Sequence, residues 1–374
     1  MLIIADRNIP QVQEAFAGIG EVRLHEGRGL GAADVKDADI LLVRSVTPVN
    51  AALLEGSRLR FVGSATIGTD HVDMDYLKSR DIEFAYAPGT NALAVAEYVL
   101  AALLALHENK PQGPVGIVGF GNTGSALARL LNVLGIEYLA CDPPLQESGL
   151  RSDMEFASLP EIRRCPIISL HVPLIRGGRH PTFHIVDESF LSDLAPGTLL
   201  INSSRGAVVD NPALLTRLQR GDLHAVLDVW EGEPAINAEL LEQVRLGTSH
   251  IAGYSVEGRL NGTQRMYEAV CAFLGIRPGW RYTVQAPLKP VLMTPYRGYA
   301  ALRSLVLQVY DICRDDMALR ALLSLPPEQR SAGFDRLRRD YPPRREFAAY
   351  RCSLASGPDS ILQKQLAGLG FALG

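Results

Sequence analysis

The sequence predicts an α/β protein with parallel, doubly wound sheets. Two observations favour this class: short apolar runs alternate with helical patterns, and one apolar run leads directly into a Gly-x-Gly-x-x-Gly turn. The composition agrees, because 47% hydrophobic and 21% charged residues are ordinary for a globular protein. At 374 residues the chain is long enough for two or three domains with substantial cores.

The first ninety residues have the pattern of a small parallel-sheet domain. Apolar runs predict strands at residues 2–5, 40–43, 61–65 and 82–85. Helical patterns at 11–17 and 73–80 alternate with these runs, which is the βα repetition of a parallel sheet. Residues 92–108 are strongly helix-forming and apolar on most faces, so we expect a buried helix that crosses into the next domain.

An apolar run at 115–118 then stands directly before a glycine-rich turn, and an amphipathic stretch at 125–134 follows. The turn consists of Gly119, Phe120, Gly121, Asn122, Thr123 and Gly124. Strand, tight turn and helix start in this order cradle a dinucleotide pyrophosphate, because free N–H groups and the helix dipole face the anion. A glycine triplet alone would also suit a purely structural turn, but the flanking strand and helix favour nucleotide binding. We therefore expect a Rossmann-type nucleotide domain.

The glycines and a following acid specify the cofactor. Gly119 permits the sharp turn, Gly121 lets the backbone approach the phosphates, and Gly124 lets helix and strand pack closely. A second predicted strand, 136–140, leads to Asp142, 18 residues beyond Gly124. A carboxylate there can accept hydrogen bonds from the adenosine ribose and repels a 2′-phosphate, so NAD is the predicted cofactor rather than NADP.

The alternation continues after Asp142. Further strands are predicted at 167–171, 198–202, 223–229 and 245–250, with helices at 187–194 and 211–220. A helical pattern at 256–274 would cross back to the first domain, and residues 277–279 with Pro287, Pro290 and Pro295 mark a linker. The predicted domains are a lid of residues 1–93 and 256–280, a nucleotide domain of 94–255, and a C-terminal domain of 281–374.

Three polar residues, Arg205, Glu233 and His250, follow predicted strands of the nucleotide domain. Because the carboxyl ends of such strands form the ligand crevice, their side chains can converge there. Oxidation of a 2-hydroxy acid needs a base that accepts the hydroxyl proton, a cation that binds the carboxylate, and a group that keeps the base in the correct tautomer. Histidine suits the base, a glutamate can stabilise its imidazolium, and an arginine can hold a carboxylate by two parallel hydrogen bonds.

Each of these residues also has a structural interpretation. Arg205 could bind terminal carbonyls of the sheet, Glu233 could be a solvated loop acid, and His250 could be a buried histidine with satisfied hydrogen bonds. Their joint occurrence at three strand ends favours catalysis over three separate coincidences.

Six motifs occur in one order along the chain. They are residues 62–73, 88–97, the glycine turn, 201–206, 227–234 and 249–254. Together they resemble the D-isomer-specific 2-hydroxyacid dehydrogenase family over roughly residues 1–275. The resemblance implies that Arg205, Glu233 and His250 are the catalytic set, with Glu233 rather than Glu231 as the carboxylate. It also implies a flavodoxin-like α/β substrate domain and a C-terminal α+β dimerisation domain.

The resemblance implies further contacts and no metal. Cofactor contacts beyond the glycine turn and Asp142 are Val172, Ser203, Ser204, Arg205, Asp228 and Gly253. Substrate contacts are Arg44, Ser45, Thr66 and Tyr254. Hydroxyls of Ser45 and Thr66 can donate to an anion, although Thr66 could instead only cap a turn. Closure of two domains over the substrate would exclude water during hydride transfer.

The region after the dehydrogenase core, together with residues 43–50, resembles one group within this family. That group oxidises 4-phospho-D-erythronate to the 2-oxo acid in pyridoxal 5′-phosphate (vitamin B6) biosynthesis. A phosphoglycerate or glycerate dehydrogenase is the alternative among enzymes, and an NAD-sensing, corepressor-like protein is the alternative without catalysis. The three retained catalytic residues favour an enzyme.

Charge and cysteine usage bear on partners and location. A net charge of −4 gives no basic field for nucleic acid, and no apolar stretch is long enough to span a membrane. The five scattered cysteines are typical of a reduced, cytoplasmic chain.

Residues 281–374 differ from the rest of the chain in charge, with 14 Lys and Arg against 8 Asp and Glu. Apolar helical stretches at 300–312 and 317–325 need a partner surface, so we expect a homodimer. The arginine cluster at 336–345 is either a solvated face or a contact with a substrate phosphate.

Overall fold

The computed structural model describes residues 1–284, 289–354 and 359–373. The chain forms two compact units. The first contains Met1–Asn91 and Ser255–Gln285, and the second contains Ala92–Tyr254 and Ala286–Gly374. Among the described residues, no helix combines the length and the apolar character that a membrane span requires.

Short strands and helices alternate along most of the chain. The strands are β1 (Leu2–Asp6), β2 (Glu21–His25), β3 (Ile40–Val43), β4 (Phe61–Ser64), β5 (Glu83–Tyr86), β6 (Val115–Val118), β7 (Tyr138–Cys141), β8 (Ile167–Leu170), β9 (Leu199–Asn202), β10 (His224–Leu227), β11 (Leu246–Gly247), β12 (Lys289–Thr294), β13 (Tyr350–Leu354) and β14 (Ala372–Leu373). The helices are α1 (Val12–Phe16), α2 (Ala32–Val35), α3 (Ala51–Leu54), α4 (Met74–Ser79), α5 (Ala92–Leu106), α6 (Asn122–Val133), α7 (Pro143–Ser148), α8 (Leu159–Ile162), α9 (Glu188–Ser192), α10 (Asn211–Leu218), α11 (Ala238–Gln243), α12 (Val256–Leu274), α13 (Gly298–Val309), α14 (Ile312–Arg320), α15 (Pro327–Arg339) and α16 (Ser360–Gly368).

The first unit contains a five-stranded parallel sheet in the order β2-β1-β3-β4-β5, which is the flavodoxin order. Successive residues of a strand point to opposite faces, and here both faces are buried. Ile3 therefore packs in one core with Met266 of α12, whereas Ile4 packs in a second core with Leu41. This is why the strands appear in the sequence as continuous apolar runs.

The second unit contains a six-stranded parallel sheet in the order β11-β10-β9-β8-β6-β7. Neighbouring residues again separate into two cores, since Ile117 and Val118 of β6 lie on opposite faces. The chain leaves β6 for β7 on one side and returns to β8 on the other. This reversal is the switch point of a doubly wound Rossmann sheet, and the predicted α/β fold class is confirmed.

The C-terminal part of the second unit combines α13 to α16 with a parallel sheet in the order β12-β13-β14. It is better described as α/β than as α+β, because its strands are parallel. Helices α13 and α14 pack on α5, and Leu302, Leu305 and Val306 of α13 are fully buried in the same core as α5. The apolar character of α5 on most faces is explained by α6 on one side and these helices on another.

Three local predictions differ from the structure. The predicted linker is instead strand β12 in part, at the edge of its sheet where a proline is tolerated, while Pro287 lies outside the described residues. The predicted strand 245–250 is reduced to β11, because His250 adopts a left-handed φ of 58° that ends the extended backbone. Strand β2 is unpredicted, since it is an edge strand of mixed polarity.

Candidate active site

The glycine turn lies at the carboxyl end of β6, at the switch point of the second sheet. Gly119 has a φ of 89°, and a Cβ there would lie 2.6 Å from the carbonyl oxygen of His171 and 2.9 Å from Val172. Only glycine satisfies both constraints. The predicted cofactor contact Val172 is therefore placed against the turn.

The other two glycines of the turn differ in their surroundings. A Cβ on Gly124 would overlap the carbonyl oxygen of Gly119, so the first turn of α6 lies directly on the end of β6. A Cβ on Gly121 would meet no atom within 4 Å. The backbone at Gly121 is thus open to an approaching group, and the N-terminus of α6, which begins at Asn122 and Thr123, supplies the unpaired N–H groups that favour an anion.

Asp142 follows β7 and lies beside this turn. One carboxylate oxygen accepts a hydrogen bond from the backbone N–H of Phe120 at 2.8 Å, and the other caps α7 by accepting from Leu145 at 3.0 Å. Each oxygen keeps a further lone pair for a ribose hydroxyl. The carboxylate is therefore held rigidly against the glycine turn, as a ribose acceptor would need to be.

The segment after β9 carries two predicted cofactor contacts. The buried Ser204 donates its hydroxyl to Asn202 at 2.8 Å, and Asn202 in turn donates to the carbonyl oxygen of Arg205 at 2.9 Å. These two hydrogen bonds, both donated by side chains of this segment, fix the conformation of the loop after β9. The Ser203 hydroxyl is buried and has no hydrogen-bond partner within the described residues, so it can donate to a bound molecule.

His250 and Glu233 form the central pair of the site. Nδ1 of His250 lies 2.7 Å from Oε2 of Glu233, and Oε1 of Glu233 accepts the backbone N–H of Trp230 at 2.8 Å. Burial would raise the pKa of the Glu233 carboxyl, but the adjacent His250, the charge of Arg338 and the Trp230 hydrogen bond lower the pKa overall. The ionised carboxylate on Nδ1 selects the tautomer in which Nε2 of the ring is free to accept a proton.

The loop that carries His250 is held by Asp228. Oδ1 of this buried carboxylate accepts from the Thr248 hydroxyl at 2.7 Å and the Ile251 N–H at 2.8 Å, and Oδ2 accepts from the Ala252 N–H at 3.0 Å. The His250 N–H also donates to the Asp228 carbonyl oxygen at 2.7 Å. Asp228 therefore fixes the position of His250, and its predicted contact with the cofactor stays a prediction.

The two acids near Pro234 have different partners. Glu231 pairs with His184 at 2.9 Å, whereas Glu233 pairs with His250. Of the two acids, Glu233 is the one in contact with His250, and its assignment as the catalytic carboxylate stays a prediction.

Arg205 lies on the loop that follows β9. Its Nη1 donates to the Ser204 carbonyl oxygen at 2.7 Å. The next residue, Gly206, lies so close to Trp230 that a Cβ would overlap the Trp230 backbone. Since β9, β10 and β11 are neighbours and parallel, Arg205, Glu233 and His250 all follow carboxyl ends at one edge of the sheet.

The predicted substrate residues of the first unit lie at the switch point of its own sheet, beside β1, β3 and β4. Nε of Arg44 pairs with Asp6 at 3.1 Å, and Ser45 is exposed. The Thr66 hydroxyl is 2.9 Å from Ser64, which is also 3.2 Å from Nε2 of His71. Sequence reasoning missed Asp6, the last residue of β1, and His71, which lies seven residues after β4 and gives no such signal.

Comparison with known proteins decides the family. Residues 104–252 match the family model described as D-isomer specific 2-hydroxyacid dehydrogenase, NAD binding domain, and residues 285–370 match one described as a domain of unknown function, DUF3410. The erythronate-4-phosphate dehydrogenase of Pseudomonas putida (strain F1) is 49% identical over 93% of both chains, and that of Marinobacter nauticus is 46% identical over 100% of both. The chain belongs to the erythronate-4-phosphate dehydrogenase family.

Solved structures agree with this membership. D-lactate dehydrogenase from Aquifex aeolicus, complexed with NAD and lactic acid, is 25% identical and covers 74% of this chain and 96% of its own, with a TM-score of 0.62. The predictions of an NAD-dependent oxidoreductase and of NAD as cofactor are confirmed. This solved structure aligns with only part of the chain. The DUF3410 model is a separate match, to residues 285–370.

In this member of the erythronate-4-phosphate dehydrogenase family, the C-terminal region contributes two arginines that contact the loop carrying His250. Arg338 donates from Nη2 to the Tyr254 hydroxyl at 3.4 Å, and Arg344 donates to the carbonyl oxygen of Ala252. Sequence reasoning found the arginine cluster but not its location. Helical spacing alone indicates which residues share a face, not which loop that face contacts.

Proposed function

We propose that this protein oxidises 4-phospho-D-erythronate to 3-hydroxy-2-oxo-4-phosphobutanoate with NAD as hydride acceptor, in pyridoxal 5′-phosphate (vitamin B6) biosynthesis. The observation that carries this proposal is the full-length similarity to erythronate-4-phosphate dehydrogenases, which includes the region beyond the dehydrogenase core. The geometry of the His250–Glu233 pair supports it independently.

His250 is the proposed acid–base. Nε2 of the His250 ring would accept the proton of the C2 hydroxyl as the hydride leaves C2, and NAD, held by the glycine turn and Asp142, would supply the hydride acceptor. The C2–O bond becomes a carbonyl, and the proton rests on His250 until solvent removes it. Glu233 stabilises the resulting imidazolium through Nδ1.

Arg205 is the proposed orienting cation. A guanidinium presents parallel N–H donors that match a carboxylate, which fixes C2 of the substrate relative to His250. We further propose that Arg44, Ser45, Thr66 and Tyr254 contact the substrate. Asp6 holds the Arg44 side chain at Nε and so leaves the remaining guanidinium nitrogens to a phosphate or carboxylate.

We expect 4-phospho-D-erythronate to be the preferred substrate by about tenfold or more in kcat/KM over 3-phosphoglycerate and glycerate. The measurement is NADH absorbance with the three acids side by side under identical conditions. A preference for 3-phosphoglycerate or glycerate would assign the alternative dehydrogenase activity. NAD binding in a calorimeter without turnover of any of the three would instead favour a non-catalytic, NAD-sensing protein.

We also propose that residues 281–374 form a homodimerisation domain of a cytoplasmic protein whose ligands are small molecules. Exposed large apolar side chains support this role. In the C-terminal region they are Met293, Tyr296, Met317, Ile361 and Leu373. The exposed fraction of Ile361 is 69%, an unfavourable exposure unless another surface covers the side chain.

Sedimentation of the full chain tests the dimer. We expect a dimer that Ile361→Glu weakens, because a charge in an apolar interface is left unpaired. Leu150→Glu is the matched control, since Leu150 is 78% exposed but lies outside this region. A monomeric full chain, or equal weakening by both substitutions, would contradict the proposal.

A further inference from the structure

We propose that Arg338 is a positioning residue for the His250–Glu233 pair: it holds Tyr254 on the loop that carries His250, and its positive charge acts on Glu233, so that hydride transfer depends on the C-terminal region. The inference rests on the proposed function for its kinetic consequence. Its structural part concerns this chain's own residues, and it assigns a role to a region that the family model leaves without one.

Arg338 lies near the C-terminal end of α15 and faces the loop after β11. Its guanidinium carbon is 5.9 Å from the centre of the Tyr254 ring, and Nη2 donates to the Tyr254 hydroxyl at a long 3.4 Å. Tyr254 itself donates its N–H to Ile251 at 2.8 Å, next to His250. The cation–π contact and the hydrogen bond thus connect α15 to the loop that carries the catalytic histidine.

A second set of contacts from the same region supports this loop. Tyr341 packs edge-on against Tyr254, with ring centres 6.0 Å apart, and donates its hydroxyl to Asp315 at 2.8 Å. Arg344 is buried, lies 4.4 Å from the Tyr310 ring centre and donates to the Ala252 carbonyl oxygen. The C-terminal region therefore contacts the loop that carries His250 through Tyr341 and Arg344 as well as through Arg338.

The positive charge of Arg338 also affects the ionisation of Glu233. The groups that face the Glu233 carboxylate are His250, the Trp230 N–H and Arg338, and the Asp228 carboxylate also acts on Arg338. Burial opposes the charge of Arg338, yet Tyr254 and Glu233 raise the pKa of its guanidinium overall. Nε of Arg338 is buried and has no hydrogen-bond partner among the described residues.

The primary test follows Glu233 directly. In Arg338→Gln, the ¹³C resonance of the Glu233 side-chain carboxyl should titrate about half to one pH unit higher than in the unmodified protein, since a nearby positive charge is lost. This measurement requires no turnover, so it stands even if the proposed substrate is wrong. Arg339→Gln is the matched control, because the neighbouring Arg339 lies at the surface and pairs with Asp340.

Kinetics provide the second readout. The acid limb of kcat/KM should move to higher pH by a similar amount in Arg338→Gln, because the pair is protonated more easily, and Arg338→Lys should largely restore it. If Arg338→Gln fails to fold, Tyr254→Phe removes the hydroxyl acceptor and should give a smaller shift in the same direction. An unchanged Glu233 titration in folded variants overturns the proposal. A raised KM with an unchanged pH profile also overturns it, and would indicate direct substrate contact.

Discussion

Replacing His250 by alanine is expected to lower kcat about 10³-fold or more, while NAD affinity changes less than about twofold. The reason is that the ring is the proposed acceptor of the hydroxyl proton, whereas the glycine turn and Asp142 lie at β6 and β7. The measurement is NADH formation with 4-phospho-D-erythronate, accompanied by calorimetric titration with NAD.

The chain offers a matched control for this substitution. His184 also pairs with a glutamate at 2.9 Å and is similarly exposed, at 27% of its side chain against 30% for His250. His184→Gln should therefore leave kcat within about twofold, because it removes an imidazole–carboxylate pair away from the proposed chemistry. Comparable losses in the two variants, or near-normal turnover without His250, would remove the basis for the acid–base assignment.

Sequence patterns located elements whose buried residues recur at a regular spacing. Strand β3 and helix α12 have the predicted bounds, because both carry apolar residues at regular spacing with polar or glycine boundaries. The glycine turn was predictable for another reason: a backbone that approaches another backbone or an anion excludes side chains, as the surroundings of Gly119 and Gly124 demonstrate. Strand ends were also predictable, because the carboxyl ends of parallel strands meet at one edge of the sheet. Arg205, Glu233 and His250 follow three such neighbouring strands.

Other features depend on which surfaces meet, and the sequence does not specify this. Asp228 is predicted to contact the cofactor, and the structure adds a role that the sequence did not indicate, because its carboxylate accepts three hydrogen bonds from the His250 loop. Arg338 belonged to a charged run that could equally have been a solvated face, and its neighbour Arg339 is in fact one half of a surface ion pair. Neighbouring residues of a helix project in different directions. Arg338 of α15 therefore contacts Tyr254, whereas Arg339 lies at the surface.

Helices α13 and α14 pack on α5, so we expect the region that contains them to be necessary for folding. A chain that ends at residue 284 should not fold cooperatively, because the apolar surface of α5 would be exposed to water. Fully buried α13 side chains, including Leu302, Leu305 and Val306, would be lost, each worth about 1.5–3 kcal/mol of burial. Their sum approaches the whole stability of a typical domain, about 5–15 kcal/mol.

Polar contacts of α5 would be lost as well. Arg303 donates to the Leu104 carbonyl oxygen at 2.6 Å, where α5 ends, and the N–H of Phe347 donates to the buried Glu97 at 2.9 Å. Circular dichroism during heating is the measurement, with Leu302→Ala as a graded variant that should lose about 2–5 kcal/mol in the full chain. A truncated chain that unfolds cooperatively and binds NAD normally would show that α5 needs no cover, and the C-terminal region would then serve association alone.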